Sequence, residues 1–125
     1  PLVALMNRRD SRHAWATQTF SQIEPPLWTC EPVLTEASHL TGMPAEIVSY
    51  VSSGVLRIGI EVEENAEHIQ RLLRRYGPQM DLADACLVRM TELMAECRVF
   101  TIDKRDFSVY RRNRRDVIPL LAPSD

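Results

Sequence analysis

Short β-prone runs alternate with segments of helical period along most of this chain, and that alternation constrains the fold more than any other feature. The runs fall at 27–30, 55–60 and 99–102, each separated from the next by one or two amphipathic stretches. Parallel strands need a crossover long enough to hold a helix, so strands spaced in this way are expected to pair in parallel. The expected architecture is therefore α/β, a parallel sheet with helices on both faces.

Residues 1–20 read as helical, with Leu2, Val3, Leu5 and Met6 ahead of the polar run 7–12, and a second amphipathic piece follows over 13–23. Proline suits the first turn of a helix, and the opening on Pro1 rather than methionine raises the expectation of chain upstream. Glu24, Pro25 and Pro26 break the helix before the strand at 27–30. Pro32 opens a helix that runs through Glu36 to a stop at Gly42. Pro44 starts the next, with Ile47, Val48, Val51 and Val55 at helical spacing and Ser52, Ser53 and Gly54 ending it. A strand over 55–60 leads to a polar-faced helix over 61–76, with Ile69, Leu72 and Leu73 inward and Gly77-Pro78 closing it. A helix over 81–97, a strand at 99–102, a further strand at 107–110 and an edge or packing segment at 117–121 complete the expected order.

A chain of 125 residues is sized for one domain over 1–125, and 45% hydrophobic with 26% charged residues is ordinary globular composition. No apolar run nears the ~18 residues of a membrane span, and no signal peptide is present. A cytoplasmic protein without a membrane partner is the expectation. Cys30, Cys86 and Cys97 are odd in number, widely spaced and set among apolar residues, which suits buried free thiols rather than disulfides or a CxxC metal site. His13, His39 and His68 have neither metal-ligand spacing nor a nucleophile motif around them.

The run at 99–102 stops at two aspartates, Asp103 and Asp106. In open α/β sheets the binding groups sit just beyond the carboxyl ends of the strands, and an acidic pair there points to a divalent metal. Two other acids are placed to join it. Between 31 and 40 the apolar stripe is Val33, Ala37 and Leu40, and Glu36 takes the remaining slot of the i, i+3, i+4, i+7 pattern, facing the core side. A buried carboxylate needs a partner or a metal. In the next acidic segment the stripe runs Ala83, Cys86, Leu87, Met90, Leu93, Met94 and Cys97, and Asp84 flanks it near the helix start. Each acid also has a structural reading: Asp81 and Asp84 are spaced as an N-cap and its third-position partner, and Asp103 and Asp106 as the start of a turn or short helix. Glu36 joins a solvated face if its helix is rotated.

The net charge of −2 conceals a basic zone. Seven cations (Arg98, Lys104, Arg105, Arg111, Arg112, Arg114 and Arg115) lie between 98 and 115 with two acids. Fourteen of the chain's fifteen cations are arginine, whose planar fork suits bidentate phosphate contact. A solvated arginine-rich surface is the alternative.

Taken in order and spacing, Pro1-Leu-Val-Ala-Leu5, Val33-Leu-Thr-Glu-Ala37, Met80-Asp-Leu-Ala-Asp-Ala85, Thr101-Ile-Asp-Lys-Arg-Asp-Phe107 and Tyr110-Arg-Arg112 resemble a PIN-domain ribonuclease of the VapC toxin type. The resemblance implies a three-layer α/β/α fold with a central parallel sheet, and a first strand that ends in a catalytic aspartate ahead of Pro1. It implies Glu36, Asp84 and Asp103 as Mg²⁺ or Mn²⁺ ligands, with Asp106 as a further catalytic acid. Such ions favour oxygen donors and suit in-line phosphodiester hydrolysis. Lys104, Arg105, Arg111 and Arg112 would hold the RNA backbone, single-stranded or looped RNA being the more accessible target. A cognate antitoxin and a homodimer are the implied protein partners.

Two other classes compete. A catalytically inactive PIN-like module would keep the fold and a partner groove without the first acid. A phosphoacceptor receiver domain shares strand-end acids, but it needs an acidic pair after its first strand and a strand-end lysine, neither of which is evident here.

Overall fold

The computed structural model describes residues 1–124 and divides them into two compact units, Pro1–Ile58 and the part from Gly59 onward. The architecture is mixed α/β and rich in helix, about 54% against 11% strand, so helix packing carries most of the burial in each unit.

In the first unit, α1 (Leu2–Met6) and α2 (His13–Gln22) are separate helices: the second piece expected over 13–23 is present, while the helical reading of 1–20 is interrupted over 7–12. The polar run between them turns instead: the Asp10 carboxylate accepts the Arg12 amide at 2.8 Å, a local bond that competes with helix continuation. His13 Nδ1 lies 2.8 Å from the Ala4 carbonyl oxygen and ties the start of α2 to α1. Strand β1 (Leu27–Thr29) follows, then α3 (Glu31–Thr41), α4 (Pro44–Ser52) and β2 (Leu56–Ile58). Strands β1 and β2 pair in parallel, Leu27 opposite Leu56, with the two helices as the crossover. Gly42 ends α3 in the left-handed region at φ 66°, as its position suggests. The buried set of this unit includes Ala4, Ala16, Cys30, Ala37, Ile47 and Leu56.

The face of α3 differs from expectation. Ala37 is buried and Val33 partly so, but Leu40 is 59% exposed and Glu36 is exposed as well. The inward stripe is rotated toward Val33, Leu34, Ala37 and Thr41, so Glu36 is solvated and its carboxylate is not core-facing.

The second unit opens with a single 3₁₀ turn at Glu63–Asn65 leading into α5 (Ala66–Tyr76), then α6 (Leu82–Leu93) and β3 (Val99–Phe100). Helix α7 (Lys104–Val109), the hairpin β4 (Arg111–Arg112) and β5 (Asp116–Val117), and β6 (Leu120–Leu121) complete it. Strand β6 pairs with β3 in parallel, while β4 and β5 are antiparallel. The strands form three separate two-stranded ladders. The strand expected at 107–110 is instead the end of α7 and the residue after it. Phe107 and Tyr110 are both buried at i, i+3 while Val109 is 51% exposed, a helical rather than an alternating pattern.

Helix α6 buries Ala83, Ala85, Cys86, Val88, Met90 and Thr91, a wider arc than the expected stripe, and it stops at Leu93 rather than running to Cys97. Its carboxyl end is held from outside. Arg112 Nη1 donates to the carbonyl oxygens of Thr91 at 3.2 Å and Ala95 at 2.9 Å, two acceptors that a terminating helix leaves open. Cys30 and Cys86 are buried and Cys97 is half-buried, and none of the three forms a disulfide.

Arg112→Ala is expected to destabilise the protein by about 1–3 kcal/mol, the usual loss for charged donors on partly buried carbonyls. Urea unfolding followed by circular dichroism reads this directly, and an unchanged midpoint would show that the guanidinium does not secure the end of α6.

Candidate functional site

Four aspartates of the second unit gather around two helix starts. Asp81 is the N-cap of α6: its backbone is extended and its Oδ1 accepts the Asp84 amide at 2.8 Å. Asp103, just past β3, is the N-cap of α7 in the same way, accepting the Asp106 amide at 3.2 Å. The Asp103 amide donates to the buried Thr101 hydroxyl at 2.8 Å, which fixes the cap's own backbone. The structural reading of both pairs is thus correct, and each cap has an aspartate in its third position.

The two third-position residues are held in turn. Gln79 Nε2 donates to Asp106 Oδ1 at 2.8 Å. The Tyr110 hydroxyl donates to Asp84 Oδ2 at 2.9 Å and lies 3.3 Å from the Gln79 carbonyl oxygen. Tyr110 is fully buried, with its ring edge-on to Tyr76 (centroids 5.2 Å apart) and Phe107 (5.3 Å). Packing therefore fixes the phenol, and the phenol fixes the carboxylate.

Burial, with the nearby charges of Asp81 and Asp103, pushes the Asp84 carboxyl from its ordinary 3.8 up to about 6, although the Tyr110 hydrogen bond opposes the rise. Asp103 is also raised, by burial first and then by the charge of Asp106 and Asp81. Burial and the bond to Asp84 push the Tyr110 phenol up. Asp103 thus lies within electrostatic reach of the other three carboxylates, and Asp84 within reach of Asp81 and Asp103, so adding negative charge there is unfavourable.

Of the acids singled out in the sequence, Asp84, Asp103 and Asp106 are thus brought into one cluster. Glu36 lies on α3 of the first unit, exposed and within electrostatic reach of Pro1, and its role rests on the resemblance alone. Among the described residues, no three His, Cys, Asp or Glu side chains stand together closely enough to hold a metal ion by themselves.

The cations divide sharply. Lys104 and Arg105 are exposed on the first turn of α7, between the two aspartates of that helix start. Arg111 Nη1 is spent on the Ser108 carbonyl at 2.7 Å and that of Tyr110 at 3.0 Å, and Arg112 holds the end of α6. Tyr110 and Gln79 are the site residues that sequence reasoning passed over; the i, i+3 spacing of Phe107 and Tyr110 was the available signal. No protein-family model matches the chain, and comparison with curated proteins gives no match.

The raised carboxyl carries a sign. A folded-state pKa of about 6 means the native chain keeps a proton that the unfolded chain releases near pH ~4. Stability therefore falls as pH rises from about 4 to about 6 and is level above that, by roughly 1 kcal/mol once solvent screening of this half-exposed group is allowed for. Asp84→Asn is expected to remove this slope, raising the urea midpoint at pH 7 but hardly at pH 4; a variant with the wild-type pH dependence would refute the assignment. Tyr110→Phe is expected to move the Asp84 titration above 6, read by carboxyl-resolved NMR.

Proposed function

We propose that this chain is a divalent-metal-dependent endoribonuclease of the PIN type, cutting single-stranded or looped RNA as the toxin of a toxin–antitoxin pair. The observation that carries this reading is the aspartate cluster of the second unit, in which Asp84 is pushed up to about 6 among Asp81, Asp103 and Asp106. Strongly perturbed carboxylates beside a strand end are what hydrolytic sites are built from, and carboxylates that repel one another gain from a cation.

The donor set fits Mg²⁺ or Mn²⁺. It consists of hard oxygens, and each carboxylate gives one oxygen to a local donor while leaving the other uncommitted by those bonds. Such ions keep several waters and take one or two protein carboxylates together with substrate phosphate, so a site need not converge three acids. Asp84 and Asp103 would hold the ion, with Asp106 in support. When bound, it supplies charge neutralisation at the phosphate and an activated water. Tyr110 orients Asp84 through its 2.9 Å bond, and Lys104 and Arg105 would meet the phosphate beside Asp103 and Asp106. The same proposal includes a three-layer α/β/α arrangement around a central parallel sheet, a homodimer, an antitoxin segment covering the acids, and a cytoplasmic setting.

A second reading, an inactive PIN-like binding module, is favoured by one observation: no three acids converge among the described residues. RNA cleavage separates the two. With Mn²⁺, the chain or a version extended upstream of Pro1 is expected to cut single-stranded RNA internally, with activity abolished by chelator and reduced on the order of 100-fold or more by Asp84→Asn or Asp103→Asn. Cleavage that survives both substitutions refutes the site; no cleavage by either version leaves the binding module.

A further inference from the structure

A second group of charges in the same unit is independent of the acids. The exposed face of α5 carries Arg71, Arg74 and Arg75 at i, i+3 and i+4, neighbours on one side of the helix. The β4–β5 hairpin tip adds Arg114 and Arg115, both exposed. The two elements are tied together: Arg75 Nη2 donates to the Arg114 carbonyl oxygen at 3.1 Å, and its guanidinium lies over the Tyr76 ring, 5.2 Å from the centroid. From the other side, Glu92 Oε2 accepts the Asn113 amide at 2.7 Å, so the tip is held at both edges. Glu92 gives its other oxygen to Arg89 at 3.1 Å, so its charge is paired with that arginine and makes no ion pair with Arg114 or Arg115. Among the described residues, the side chains of Arg71, Arg74, Arg114 and Arg115 make no hydrogen bond or ion pair.

The backbone at the tip adds a second argument. Asn113 and Arg114 have φ values of 52° and 71°, both left-handed. Asparagine tolerates that region and glycine favours it, whereas an arginine there is strained. The turn therefore carries a side chain that its own geometry disfavours. Such an outlier points to a role for the side chain outside the turn.

We propose that Arg71, Arg74, Arg114 and Arg115, with Arg75 tying the two elements together, form a surface that binds the phosphate backbone of single-stranded RNA. Their guanidiniums match phosphate geometry and bind without reading sequence. A docked peptide would draw its affinity from apolar anchors, and the exposed residues of α5 (Ala66, Glu67, His68, Gln70 and these arginines) offer none larger than alanine. Tyr76, next to Arg75, packs on Tyr110, whose hydroxyl binds Asp84, so two aromatic rings link the base of this surface to the acid cluster through the interior. The assignment of RNA as the polyanion rests on the reading given under Proposed function.

Binding of a fluorescein-labelled 20-nucleotide oligouridine, measured in EDTA by anisotropy across a salt series, tests the surface without requiring cleavage. Each phosphate contact contributes about −0.7 to the slope of log K against log salt for a single strand. Arg114→Gly and Arg74→Ala are each expected to weaken binding by about two- to fivefold and to flatten the slope by about 0.7. Arg114→Gly relieves the left-handed strain, so it is expected to keep or raise the thermal midpoint while losing affinity, which a purely structural role for Arg114 would not produce. Unchanged affinity and slope in both variants overturns the proposal, as does an oligoglutamate 20-mer that binds as tightly as the oligouridine. Tight, slope-sensitive binding with no cleavage in Mn²⁺ supports the surface while removing the nuclease reading.

Discussion

The hydrogen bond from the Tyr110 hydroxyl to Asp84 is the contact on which the chemistry of the second unit depends. Tyr110 is fully buried, so its hydroxyl must find an acceptor or lose roughly 1–3 kcal/mol. Asp84 supplies that acceptor, and the shorter of the two contacts is to its carboxylate. The bond acts on both partners: it raises the phenol's pKa and restrains the rise that burial imposes on the carboxyl. Ring packing against Tyr76 and Phe107 sets the phenol, and the phenol sets where the negative charge lies. The hydrophobic packing and the electrostatics of this unit are therefore one arrangement.

Around that bond the chain repeats a single local device. Asp81 and Asp84, and again Asp103 and Asp106, are spaced three apart, and in each pair the first carboxylate caps the amide of the second. A helix start favours negative charge because its amides point outward. Two such starts close together supply the amides, yet they also bring Asp103 within reach of Asp81, Asp84 and Asp106, and burial, helped by that repulsion, outweighs the backbone hydrogen bonds at Asp84 and Asp103. The capping role and a cation-binding role are compatible, since a cap uses one carboxylate oxygen and leaves the second.

The order of elements was largely legible because it depends on local signals. Pro32 and Gly42 bracket α3, Asp81 opens α6, and the β-prone run ending before Asp103 contains β3. Among the readings that failed, two did so for reasons beyond the reach of local pattern. The stripe that placed Glu36 inward assumed Leu40 was buried; with Leu40 more than half exposed, the helix presents a different arc and Glu36 goes to solvent. The run at 107–110 is β-prone in composition, but the Asp103 cap and the inward pair Phe107 and Tyr110 impose a helix. Of the site, the clustering of Asp84, Asp103 and Asp106 followed from their position at element ends. Tyr110 and Gln79 did not, because their partners are 26 to 31 residues away in sequence.

The arginines show why charge counts alone do not locate the positive charge that faces solvent. Arg111 and Arg112 sit in the densest basic run, yet their guanidinium groups are turned onto backbone carbonyls, where they satisfy acceptors left by the ends of α7 and α6. Arg112 also leaves its Nε buried without a partner, while its Nη1 bonds tie it to the end of α6. Once those two are committed, the solvent-facing charge moves to the α7 start, to the face of α5 and to the hairpin tip. The strut and the tip belong to the same hairpin: Arg112 anchors β4 to the end of α6, Glu92 holds Asn113, and Arg75 holds Arg114. Three long-range bonds thus fix a short turn with two left-handed residues. The side chains displayed there are held in place by structural arginines that a sequence count would have assigned to binding.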